Sequence, residues 1–153
     1  MWKKQFNDTL HLLGHRNWIL VVDKAYPLQS ADGIEYINTG ESHEDVLKYV
    51  LGAVEDASHI KPIIYTDKEF EVLDQLGDEA AAMVASMGEI FEGVEVNSIM
   101  HEDIFAKLDK ASKLFNVLVI KTESTVAYSS VFIELDCGYW TAEKEAKLRG
   151  LIG

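Results

Sequence analysis

An α/β protein built on one layered sheet is the fold class this sequence predicts, on three observations. Strand-like and helix-like segments alternate along the chain. Residues 18–23 form a short continuous apolar run, the pattern of a strand buried on both faces. Of the 153 residues, 48% are hydrophobic, enough for one domain, 1–153, with an ordinary core.

The elements follow in order. Phe6, Leu10 and Leu13 recur at i, i+4 and i+7 and mark a short amphipathic helix. Asn7 or Asp8 can cap its start, and Gly14 suits its stop. The apolar strand 18–23 comes next. Pro, Ser, Asp and Gly make 26–33 a loop before a short strand at 34–37. Ser42 or Thr39 opens a helix with Val46, Leu47, Val50, Leu51 and Val54 on one face. Residues 61–66 read as a strand, and 67–91 as helical with a break at Gly77-Asp78. Strand 94–99, helix 102–115 and strands 116–120 and 131–135 complete the alternation. Thr141 caps a charged helix ending near Gly150. The chain shows no internal repeat, linker or low-complexity stretch.

Charge and cysteine content restrict the function classes. The formal net charge is −12. That field repels phosphate backbones and anionic membranes, so nucleic-acid and membrane partners are not expected. A neutral ligand is compatible with it. No apolar run approaches the ~20 residues of a membrane span. The first residues lack the apolar stretch of a secretory signal, and a lone Cys137 cannot form an internal disulfide. Together these point to a cytoplasmic protein.

The chemistry concentrates in few residues. His15 stands in a turn entering strand 18–23, and Asp23 at that strand's carboxyl end. His15 has two readings: a cation favoured beside a helix C-terminus, or a general acid/base. Asp23 is either a turn aspartate or a ligand-binding carboxylate where open α/β sheets usually bind ligands. His101 follows strand 94–99 and is either a helix-start histidine or a second site residue. Tyr128-Ser129-Ser130 leads into strand 131–135 and offers an aromatic face with hydroxyls, or an ordinary strand-entry turn. No HExxH, GxSxG, phosphate loop or dinucleotide motif occurs, so no metal or cofactor is expected.

These residues carry a resemblance. Leu13-Gly14-His15, Asp23 eight residues on and Pro27 four beyond are similar to the opening of the RbsD/FucU family, the D-ribose pyranases and L-fucose mutarotases. Helix residues 45–54, Met100-His101-Glu102-Asp103-Ile104-Phe105, and Lys121-Thr122-Glu123 with Tyr128-Ser129-Ser130 resemble later family blocks in the same order. The resemblance implies a three-layer α/β/α sandwich of about six strands. It implies His15 as proton donor, with Asp23, His101, Tyr128 and Ser130 binding a monosaccharide. It also implies a homo-oligomer, a ring decamer with sites near subunit contacts. Ser130 stands where the family has asparagine, a shorter group with different hydrogen bonds.

Mutarotation suits such residues. Opening a cyclic hemiacetal removes a proton from the anomeric hydroxyl and delivers one to the ring oxygen. Reclosure gives the other form, and a histidine titrating near neutrality can serve both steps. The expected function is an isomerase, a mutarotase or pyranase of an aldose such as ribose or fucose. The alternative is a carbohydrate-binding or assembly protein that keeps the fold without catalysis.

Overall fold

The computed structural model describes residues 1–153. Six strands form one mixed sheet: β1 (Trp18–Val22), β2 (Ile34–Asn38), β3 (Ile60–Asp67), β4 (Val96–Ile99), β5 (Val117–Lys121) and β6 (Val131–Cys137). Their order is β2-β5-β1-β6-β3-β4. β1, β2 and β5 run parallel to one another, as do β3 and β4. β6 runs antiparallel to both its neighbours, β1 and β3, and joins the two parallel groups.

Helices cover both faces, so the α/β fold class holds, in three layers. On one face lie α1 (Trp2–Leu10), α2 (His43–Asp56) and α3 (Asp78–Ile90). Phe6, Val46, Leu47, Val50 and Met87 pack there on Ile19, Val21, Ile120 and Ile133. On the other face α4 (His101–Ser112) sets Ile104 and Leu108 on Trp18, Leu20, Val119 and Phe132. A helix on each side explains why all five β1 residues are buried. Each such aliphatic side chain contributes roughly 1.5–3 kcal/mol on burial. α5 (Ala142–Ile152) buries none of its residues.

The observed element ends differ from the sequence reading for physical reasons. α1 starts at Trp2, not near Asn7, because Trp2 is itself a core residue that draws the first turn inward. Trp2 Nε1 donates to the Glu41 carboxylate and ties that turn to the segment before α2. Ser42 caps α2, its Oγ accepting from the Asp45 N–H at 3.2 Å. Thr141 caps α5 in the same way through the Lys144 N–H. Residues 67–91 are not one broken α-helix: Lys68–Gln75 is 3₁₀ and α3 follows Gly77, whose φ of 131° suits only glycine. β3 extends one residue further than predicted and ends on Asp67.

Gly138 closes the sheet's far end. A Cβ there would stand 2.6 Å from the Ser58 carbonyl oxygen and 2.8 Å from the Ile60 nitrogen, both backbone atoms. Neither can step aside without shifting the start of β3. We expect Gly138→Ala to destabilise by about 2 kcal/mol, a fall of about 4–8 °C in melting temperature. A thermal unfolding curve matching wild type would refute that packing account.

Candidate active site

The carboxyl ends of β1 and β3 meet the start of β6. The pairing of β6 with both sets Val21 and Thr66 opposite the same residue, Val131. One or two residues further, Asp23 and Asp67 therefore flank the segment that precedes Val131. Ser130 Oγ donates to Asp23 Oδ1 at 3.3 Å, and the Asp23 N–H lies 3.4 Å from the same Oγ.

α4 delivers His101 to this point as its first residue. The imidazole Nδ1–H donates to Asp67 Oδ1 at 2.7 Å. The backbone N–H of His101 donates to the Glu69 carboxylate at 3.0 Å, which serves α4 as the cap that Met100 cannot supply. The ring also packs edge-on against Tyr128 at 5.3 Å and Phe105 at 4.5 Å. It is therefore fixed in position and tautomer, and Nε2 makes no hydrogen bond within the chain.

Asp67 is the most perturbed group of the cluster. Its side chain is fully buried, and burial pushes its pKa up to about 6 against the opposing pull of His101. Glu69 and Asp23 add further upward pressure as nearby negative charges. Oδ2 of Asp67 is buried without a partner. A carboxyl poised near neutrality and bonded to an imidazole is an arrangement suited to proton transfer.

Tyr128 completes the wall. Its φ of 60° is a left-handed conformation that non-glycine residues rarely hold, and such outliers gather at functional sites. Burial pushes the nearby Tyr26 phenol up, and its ring stacks on Phe105 at 6.2 Å. A cavity of 640 Å³ between α1 and α2 has His11 and Asp56 in its lining, but no hydrogen bond joins them. No three metal-ligating side chains converge.

Four of the five residues singled out from sequence thus come together: Asp23, His101, Tyr128 and Ser130. His15 does not join them within one chain. It lies at the opposite end of β1, with Nε2 3.6 Å from Asp136 Oδ1, and is more than half exposed. β1 alone separates the two ends by about 15 Å at about 3.3 Å per residue. Asp67 and Glu69 were missed by the sequence reading, which assigned Asp67 to a helix start. The rule that selected Asp23, a carboxylate at a strand's carboxyl end, selects Asp67 once β3 is given its full length.

No family model matches this sequence, and no curated protein matches it. Solved structures do match in fold. RbsD of Bacillus subtilis, solved with D-ribose, superposes with a TM-score of 0.61 at 17% identity, over 90% of this chain and 93% of that one. The fucose mutarotase of Streptococcus pneumoniae, solved with L-fucose, gives 0.58 at 18% identity over 90% and 93%. FucU of Bifidobacterium longum gives 0.53 at 12% identity over 90% and 96%. This chain has the RbsD/FucU fold.

Proposed function

We propose that this protein is a monosaccharide mutarotase or pyranase, interconverting ring forms of an aldose by histidine acid–base chemistry. The observation that carries this reading is the His101–Asp67 pair, held beside Asp23, Ser130 and Tyr128. Its support is that two proteins of the same fold were solved with a free sugar bound.

The steps balance without any other reagent. His101 Nε2 takes the proton of the anomeric hydroxyl as the bond from the anomeric carbon to the ring oxygen breaks. The ring oxygen receives a proton, and an open-chain aldehyde forms. Rotation and reclosure on the other face, or through another hydroxyl, return both protons. Asp67 holds the ring through Nδ1–H and stabilises the imidazolium that forms. Asp23 and the Ser130 hydroxyl bond sugar hydroxyls, and Tyr128 offers a ring face and a phenol.

The second proton operation is the role of His15, supplied by another copy. The His101 side chain and Tyr128 are each more than a third exposed in a single chain. A neighbour that seats its β1 entrance against them would wall the site and present His15. Such head-to-tail contact generates rings when the rotation closes.

Saturation-transfer NMR on a panel of pentoses and hexoses should show faster exchange between ring forms for at least one sugar. His101→Ala and Asp67→Asn should each slow it by about 10²–10⁴-fold. Binding by wild type with no faster exchange would move the protein to the sugar-binding alternative, which Ser130 in the asparagine position makes specific.

Mixing tests the shared site. His15→Ala and His101→Ala, each inactive alone, should recover part of the activity when their subunits are exchanged. No recovery in mixed oligomers means His15 does not act across copies.

Asp67 also predicts a pH dependence of stability. Its folded pKa lies above the ordinary value of 3.8, so the folded state binds the proton more tightly. Its contribution is fully present below about pH 4, declines as pH rises towards about 6, and stays lost above that. The melting temperature of Asp67→Asn should therefore gain on wild type across this window. Parallel curves would remove the case for a raised Asp67.

A further inference from the structure

We infer that His43 is a positioning residue for the sugar-facing wall: its Nε2–H holds the Ser129 carbonyl and so sets where Tyr128 and Ser130 stand. This rests on the reading of that wall as part of a sugar site.

His43 is the first residue of α2 and is 2% exposed. Its Nε2 lies 2.7 Å from the Ser129 carbonyl oxygen. A carbonyl only accepts, so Nε2 carries the proton. Nδ1 is then the bare nitrogen of a neutral ring, buried without a partner. Burial lowers the pKa of the ring, outweighing the Ser129 carbonyl and the Asp23 carboxylate, which both favour the proton. An apolar side chain would fill this place with no orphaned nitrogen. The polar ring therefore has its use in the one bond it makes.

That bond falls at a sensitive place. Residues 122–130 have no regular secondary structure and are built on buried hydroxyls. Thr122 Oγ1 donates to the Val22 carbonyl at 2.8 Å, and Ser129 Oγ to the Val126 carbonyl at 2.7 Å. Ser124 Oγ lies 3.1 Å from Ser129 Oγ and accepts from the Val126 N–H. All of these tie the loop to itself or to the end of β1. From residues 126–130, His43 is the one hydrogen bond to a helix. It grips the Ser129–Ser130 peptide, one residue past Tyr128, whose left-handed φ must be held in place. The same peptide carries Ser130, whose Oγ meets Asp23. Nothing in the local sequence around His43 marks it as buried.

Two variants separate the bond from simple packing. His43→Leu fills the space without a donor, and His43→Gln keeps an N–H at the end of the side chain. In Leu we expect KM for the sugar to rise at least fivefold with a smaller change in kcat, and Gln to return KM to within twofold of wild type. Backbone amide NMR reads the same effect without catalysis. Tyr128 and Ser130 signals should move in Leu and return in Gln, while β5 signals stay in place. In wild type, ¹⁵N-histidine spectra should show His43 as the Nε2–H tautomer. The inference is overturned by an Nδ1–H tautomer, by Tyr128 and Ser130 signals unmoved in Leu, or by a Gln variant no better than Leu. If no aldose is turned over by wild type, the mutarotase reading fails while the NMR arms still decide the role of His43.

Discussion

The antiparallel insertion of β6 between β1 and β3 is the constraint on which the site depends. A purely parallel sheet would bring only loops and helix starts to the carboxyl ends of β1 and β3. Here β6 begins where they end, because Val131 pairs with both Val21 and Thr66. Two carboxylates from separate parallel groups therefore come to one strand entrance, with Tyr128 and Ser130 between them. The same strand has Val131, Ile133 and Leu135 packed on the α1–α3 side and Phe132 on the α4 side. Its register is fixed by burial on both faces, since a slip of one residue would exchange those sets. The position of the chemistry is thus secured by the hydrophobic core.

Burial of Asp67 is the main electrostatic cost of this arrangement. A lone carboxylate in such a place would simply stay protonated. His101 changes the balance by bonding Oδ1, while Glu69 and Asp23 oppose it. Glu69 also fixes the first turn of α4 through the His101 N–H. Glu69 therefore adds to the upward pressure that burial puts on Asp67 and also places its imidazole partner. Truncating Glu69 would ease the charge crowding but remove the acceptor for the His101 N–H, whereas glutamine there would keep an acceptor and remove only the charge.

Much of this was legible in the sequence. The five apolar residues of β1 announced a central strand, and the carboxyl-end rule found Asp23. The i, i+1, i+4, i+8 pattern of Val46, Leu47, Val50 and Val54 gave α2 its buried face. Tertiary effects hid the rest. Asp67 was lost because Lys68-Glu69-Phe70 continues with helix-like composition, and only pairing with β4 and β6 carries β3 to its end. The partnership of Asp67 with His101 spans 34 residues and has no local signature. His15 and Asp23, joined in sequence by one strand, are for that very reason held apart by it. A strand brings together residues of neighbouring strands, never its own two ends.

Charge narrows the class of ligand that fits. Asp67 bonds the His101 ring, and Glu69 and Asp23 add negative charge near Asp67, in a chain of net charge −12. Lys24 is near in sequence, but its ammonium is engaged by Glu123 at 2.5 Å. A sugar phosphate would bring a dianion against three carboxylates with no free cation contacting them, and like charges at such range repel strongly where water is scarce. A neutral polyol meets the opposite situation. Each carboxylate oxygen is an acceptor for a hydroxyl hydrogen, and charge-assisted bonds of this kind are the stronger ones. The anomeric hydroxyl is also the most acidic of a free sugar's hydroxyls, so in the proposed reaction it is the one that an imidazole held by Asp67 would deprotonate first. The carboxylates near His101 therefore favour an uncharged sugar, as the proposed function requires, over a phosphorylated one.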